Sequence, residues 1–148
     1  MSNRTTKEKG DITELEVILA FKNSGYQVSI PYGENSKYDM IADVNGKLLK
    51  IQCKTSRTAA SPNTICFSTS KTHVNRTMCK RSTYSAADID YFATTWKGVC
   101  YLIPIKDAPT NQITLRFATP LNNQKSHIRN AEDYEISKVL SKIHAGVV

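Results

Sequence analysis

Two alternating stretches, Tyr38-Asp-Met-Ile-Ala-Asp-Val44 and Lys47-Leu-Leu-Lys-Ile-Gln-Cys-Lys54, flank the dipeptide Asn45-Gly46. Asn-Gly is the preferred pair for a two-residue type I′ turn, because both of its central residues take positive φ. A two-residue turn puts Met40, Ala42 and Val44 on one face with Leu49, Ile51 and Cys53. All six are apolar, so this face is expected to pack on a core. The opposite face carries Asp39, Ile41 and Asp43 with Leu48, Lys50, Gln52 and Lys54. A slip of one residue would bury the charges, which fixes the register.

Around this hairpin the chain alternates helical and extended signals. A helix is expected from Asp11 to Ser24, stopped by Gly25. Its apolar residues (Ile12, Leu15, Val17, Ile18, Leu19, Ala20, Phe21) cover most of the circumference, which predicts burial on more than one side. Tyr26–Ile30 reads as a strand ended by Pro31, and Tyr32–Lys37 as a loop. After the hairpin come a polar stretch, Thr55–Thr64, a short strand, Ile65–Thr69, and a basic, loop-like segment, Ser70–Ser85. Tyr91–Thr95, Val99–Ile105 and Ile113–Phe117 read as strands. A final helix is expected over Ala131–Ala145, capped by Asn130, with Ile136, Val139, Leu140 and Ile143 facing the core or another subunit. The pattern is that of a single mixed α/β domain spanning all 148 residues.

Charge is distributed unevenly along that domain. The net charge is +7, but residues 1–46 carry a net −2 and residues 82–148 only +1. Residues 47–81 hold eight basic side chains and no acidic one. With 40% apolar residues, a disordered polyelectrolyte is excluded, and the basic stretch points to a surface for a polyanion. Cys53, Cys66, Cys79 and Cys100 form no CxxC pair, and His73, His127 and His144 complete no zinc pattern. Free thiols, a polar start and no long apolar run lead to the expectation of a soluble cytoplasmic protein without membrane contact.

The hairpin's polar face carries the chemistry. The expected register sets Asp39 opposite Gln52, with β-carbons about 4.5–5.5 Å apart. Lys54, two residues on, points to the same side. A carboxylate, an amide oxygen and an ammonium then share one patch of sheet. Oxygen donors suit a hard cation such as Mg²⁺. A lysine beside it suits activation of water or stabilisation of charge on a phosphate.

The order Gly10-Asp-Ile-Thr-Glu14, helix, Gly25-Tyr26, Tyr38-Asp39, then Ile51-Gln-Cys-Lys54 resembles the PD-(D/E)xK nuclease superfamily. Within it, the chain is most similar to the homing endonucleases of group I introns in cyanobacterial tRNA genes. The likeness is most specific over the first 57 residues and runs more loosely through Tyr84–Phe92 into Tyr101–Ile105. It implies a restriction-endonuclease-like core over about residues 8–106, with a central mixed β-sheet flanked by helices. It also implies a catalytic set of Glu14, Asp39, Gln52 and Lys54. Glu14, Asp39 and the Cys53 backbone carbonyl are the implied metal ligands, with Gln52 a further candidate. Gln52 stands where the family has Asp or Glu, which removes one negative charge from the site. Mg²⁺ is the implied cofactor, with Mn²⁺ as a substitute. Double-stranded DNA is the implied substrate, and a homo-oligomer, at least a dimer and by closest resemblance a tetramer, the implied assembly.

DNA contacts are assigned to Lys50, Arg57, Lys71, His73, Arg76, Lys80 and Arg81, the arginines having bidentate geometry for guanine O6 and N7. Plainer readings stand beside these. Asp39 and Lys54 form an exposed ion pair in one of them, and Glu14 serves an Asp11 helix cap in another. Asp43 reads as a turn residue, and Tyr84, Asp88 and Asp90 as capping and packing residues. Two other functions remain open, a Holliday-junction resolvase and a catalytically silent DNA-binding module.

Overall fold

Asn45 and Gly46 adopt φ of 55° and 85°, and the hairpin forms in the expected register. The computed structural model describes residues 3–74, 77, 79–117 and 129–146, with backbone alone for 72–74 and 79–81. Strands β2 (Met40–Val44) and β3 (Lys47–Cys53) pair Met40 with Ile51, Ala42 with Leu49 and Val44 with Lys47. The apolar face is buried as expected, from Met40 through Cys53.

Helix α1 runs Thr6–Asn23, five residues longer at its start than the apolar pattern suggests. Thr5 and Glu8 form a reciprocal capping box, so the helix begins in a polar segment that hydrophobic periodicity does not register. Asp11 is therefore an interior residue paired with Lys7, and the reading of Glu14 as partner to an Asp11 cap is incorrect. The helix ends with Gly25 at φ 88°, donating to the Lys22 carbonyl, while Tyr26 donates to the Phe21 carbonyl. The expectation of burial on several sides also fails. Thr13, Val17 and Phe21 are buried, whereas Leu15 and Leu19 are 64% and 58% exposed.

β1 (Gln27–Ser29), β2, β3, β8 (Tyr91–Trp96) and β9 (Val99–Pro104) form a five-stranded sheet in that order. Only the β3–β8 pairing is parallel, so the sheet is mixed. The connection from β3 to β8 carries β4 (Arg57–Thr58), β5 (Thr64–Ser68), β6 (Ser70–Val74) and β7 (Cys79–Thr83). β4 and β5 join β10 (Gln112–Arg116) in a second sheet, and β6 pairs with β7 as a separate ribbon. Ser70–Ser85, expected as loop, is mostly this ribbon. Its strands lack apolar alternation, so they leave no period-two signal.

Successive residues of β8 and β9 enter different cores. Tyr91, Ala93, Cys100 and Leu102 pack with Val17 and Phe21 of α1. Phe92, Tyr101 and Ile103 pack with Phe67, Ile113 and Leu115 of the second sheet. These two strands are thus covered on both faces, between a helical layer and a small sheet. Fully burying a large apolar side chain contributes roughly 1.5–3 kcal/mol, so this double layer fixes the ends of β3 and β8 firmly.

The expected C-terminal helix is two pieces, a 3-10 turn over Ala131–Tyr134 and helix α2 over Ile136–His144. Asn130 makes no side-chain cap. Val139 and Leu140 are buried in the helical-side core with Ile136 and Ile143 packed beside them, so this face belongs to the core. No helix among the described residues is long and apolar enough to cross a membrane.

Candidate active site

Three elements meet at the end of β3. The ladder between β2 and β3 stops at Met40 and Ile51, and the expected direct pairing of Asp39 with Gln52 does not form. The Asp39 N–H donates to the Ile51 carbonyl at 2.8 Å. Its carboxylate turns across the strand end and accepts the Cys53 N–H, also at 2.8 Å. β3 at this point has already changed partner: Gln52 and Cys53 pair with Phe92 and Ala93, and the Lys54 N–H donates to the Ala93 carbonyl at 2.8 Å.

Helix α1 delivers Glu14. Thr13, the residue before it, is buried and places its hydroxyl 3.1 Å from that of Thr55, the residue after Lys54. Ser56 and Thr94 share a second hydroxyl contact at 2.6 Å. The segment carrying Lys54 is therefore tied both to the helix and to β8.

Burial raises the Glu14 carboxyl above its ordinary pKa, and the charges of Asp39 and Asp11 raise it further. Asp39 is also raised by burial, against the pull of the Cys53 N–H, the Lys54 charge and Glu14 itself. The two acids lie close enough that the charge of Asp39 adds to the upward shift of Glu14. Lys54 is held below the ordinary lysine range by burial, with Asp39 pulling it up and Lys71 pushing it down. Its ammonium donates to the Ser70 carbonyl at 3.1 Å and lies over the Tyr84 ring, 5.1 Å from the centroid. Among the described residues no ion pair joins Lys54 to Asp39, so the reading of an exposed cross-strand pair is incorrect. The Tyr84 phenol is pushed up to about 12 by burial and then by the Asp39 and Asp88 charges, so it stays protonated. Burial likewise drives the Cys53 thiol far up, and only its backbone faces the site chemistry.

The donor set fits a hard divalent cation. Two half-buried carboxylates carry a repulsion that a cation relieves, and the neighbouring backbone carbonyl of Cys53 is the oxygen type such ions accept. Gln52, half-buried, donates from its amide nitrogen to that same carbonyl at 3.4 Å, so in this arrangement its contact is to the backbone.

The basic residues fall into separate groups. Lys50 is bound into the sheet, its ammonium on the Ala87 carbonyl at 2.7 Å and its N–H on Asp90 at 2.8 Å. Arg57 is exposed on β4 and donates to Gln112 at 2.8 Å. Lys71 bridges Asp88 at 3.3 Å and lies 4.6 Å from the Tyr84 centroid. His73 is paired with Lys80, and Thr72 with Arg81, along the ribbon backbone. Arg76 lies outside the described residues. Asp43 accepts the Gly46 N–H at 2.8 Å, as a turn residue should.

A model of the family described as PD-(D/E)XK endonuclease matches residues 4–137. The chain belongs to the PD-(D/E)XK endonucleases. It is a nuclease, and its central mixed sheet with two helices is consistent with the fold of that family. Among solved structures, it resembles one described as a bacterial homing endonuclease, I-Ssp6803I, with a TM-score of 0.77 and 26% identity. That likeness covers 96% of this chain and 97% of the other. Comparison with curated protein sequences gave no match. In this PD-(D/E)XK endonuclease, residues absent from the sequence-based site now stand beside it: Thr13, Thr55 and the Ser70 carbonyl. Tyr84, read from sequence as packing, touches the site lysine. None of these has a local sequence signal, because each acts across a tertiary contact.

Proposed function

We propose that the protein is a site-specific homing endonuclease that makes double-strand breaks in DNA with Mg²⁺, for which Mn²⁺ substitutes. The observation that carries this reading is the meeting of Glu14, Asp39 and Lys54 at one strand end, in a chain matched almost throughout by a bacterial homing endonuclease. Glu14, Asp39 and the Cys53 carbonyl would hold the ion, with Gln52 within reach of the same carbonyl. When bound, the ion supplies Lewis-acid stabilisation of charge on the scissile phosphate. Asp39 is oriented for this by the Cys53 N–H, which donates to its Oδ2. Lys54, with its lowered pKa, positions the attacking water or neutralises the developing phosphate charge. In-line attack yields 5′-phosphate and 3′-hydroxyl ends.

Arg57, Lys71 and the ribbon bearing His73, Lys80 and Arg81 supply the grip on DNA, Arg57 being the most accessible described cation of the group. One site cuts one strand, so a double-strand break requires at least two copies. A homotetramer is the assembly proposed, and Leu15 and Leu19, one turn apart and both exposed, offer apolar surface for a subunit contact. The protein acts in the cytoplasm, on nucleoid DNA. A silent DNA-binding module is the second reading, favoured by the neutral Gln52 at a position where the family has an acid.

Cleavage of linear duplex and of a four-way junction, each with Mg²⁺, tests the proposal. Linear duplex should be cut at a defined sequence by the wild type and not by Lys54→Ala. Cutting confined to junctions would make the protein a resolvase. Binding without cleavage by the wild type would make it a silent module.

A further inference from the structure

The Lys54 ammonium is held from outside the hairpin. Its hydrogen-bond acceptor is the Ser70 carbonyl at 3.1 Å, and its other close neighbour is the Tyr84 ring, 5.1 Å from the centroid. That ring is itself fixed, edge-on to Phe92 with centroids 5.4 Å apart and an interplanar angle of 90°. Phe92 is fully buried and pairs with Gln52 across the β3–β8 ladder, so the ring rests on the strand beside the one that carries the site. An ammonium has three N–H donors. The Ser70 carbonyl takes one. The face of an aromatic ring attracts the cation without taking a proton, so it restrains the group while leaving other donors for substrate.

We propose that Tyr84 is a positioning residue that holds the Lys54 ammonium beside Asp39 through the face of its ring. The inference rests on the reading of Lys54 as the lysine of the cleavage site. It assigns the ring, and not the hydroxyl, as the working part.

The test is single-turnover cleavage of linear duplex with Mg²⁺, with DNA affinity measured in parallel. Tyr84→Phe should cut within about threefold of wild type, because the ring face remains. Tyr84→Leu should slow cleavage by about 3- to 30-fold with unchanged affinity. In a Lys71→Ala background, which removes the other ammonium over the ring, 4.6 Å from its centroid, the same replacement should slow cleavage by the same factor. A phenylalanine carrying one or three ring fluorines at position 84 keeps the shape while weakening the cation–π attraction, so the rate should fall with each fluorine. That series separates ring electrostatics from misfolding. A rate indifferent to fluorination overturns the proposal, as does a slowing by Tyr84→Leu that disappears once Lys71 is replaced. A loss of affinity at constant rate also overturns it, since the ring would then serve Lys71. Wild-type cleavage by Lys54→Ala would instead refute the underlying reading of Lys54, whatever position 84 does.

Discussion

Thr13 and Thr55 join their hydroxyls at 3.1 Å, linking the residue before Glu14 to the residue after Lys54. The Thr13 hydroxyl also reaches the Lys9 carbonyl at 3.0 Å, one turn back in α1. The separation between the helix and the strand end is therefore set by a contact that takes no part in the chemistry.

Thr13→Val keeps the shape and removes this link. It should lower stability by about 1 kcal/mol, the usual worth of one such hydrogen bond, as read by denaturant unfolding. Cleavage should slow more than DNA binding weakens, because Glu14 and Lys54 lose their common reference. Unchanged stability and rate would remove the clamp from the account.

Glu14 and Asp39 should be a liability to the metal-free protein. Both have raised folded-state pKa values, so the folded form holds protons more tightly than the unfolded one. Their favourable contribution exists at low pH and disappears as pH climbs from the ordinary carboxylate value through the raised one. At pH 7 in chelator, Asp39→Asn should stabilise the protein by about 1 kcal/mol, because it keeps an acceptor for the Cys53 N–H and removes a charge. Thermal melts should show this gain shrinking as pH is lowered. They should also show Mg²⁺ raising the wild-type melting temperature more than that of the variant. A variant less stable than wild type at pH 7 without metal would contradict the assigned repulsion.

Asp88 behaves in the opposite sense. The Ser85 N–H, then Lys37 and Lys71, hold its carboxyl below the usual range. It contributes stability above the ordinary carboxylate pKa and loses it as pH falls through the lowered value. Asp88→Asn should therefore flatten the acid side of the stability profile and release both lysines. A variant whose acid profile overlays wild type would show that these ion pairs contribute nothing.

Arg57 stands exposed on β4 with only Gln112 as partner among the described residues. Arg57→Ala should weaken DNA binding and reduce the slope of log affinity against log salt by about 0.9, the value for one lost phosphate contact on duplex DNA. The cleavage rate at saturating protein should hold. An unchanged slope would place Arg57 outside the DNA footprint.

The hairpin was legible in sequence because Asn45-Gly46 and strict alternation act over neighbouring residues, and the buried set Met40, Ala42, Val44, Leu49, Ile51 and Cys53 follows from them. Glu14 was legible only through family likeness, since helical periodicity treats it and Glu16 alike. The start of α1 was hidden in a polar capping box at Thr5 and Glu8. The ribbon of β6 and β7 was hidden by its lack of apolar alternation. The turn of Asp39 onto Cys53 was invisible for a third reason. It arises because β3 leaves β2 and continues beside β8, a tertiary event that pairing rules for an isolated hairpin do not contain.

The most direct test of the account is cleavage of a randomised pool of linear duplexes in Mg²⁺, with the cut ends sequenced, by wild type and Asp39→Asn. Wild type should leave 5′-phosphate ends at one defined sequence. The variant should bind that sequence as well or better while cutting it slower by roughly 100-fold or more. Wild-type cutting by Asp39→Asn would contradict the assignment of the site.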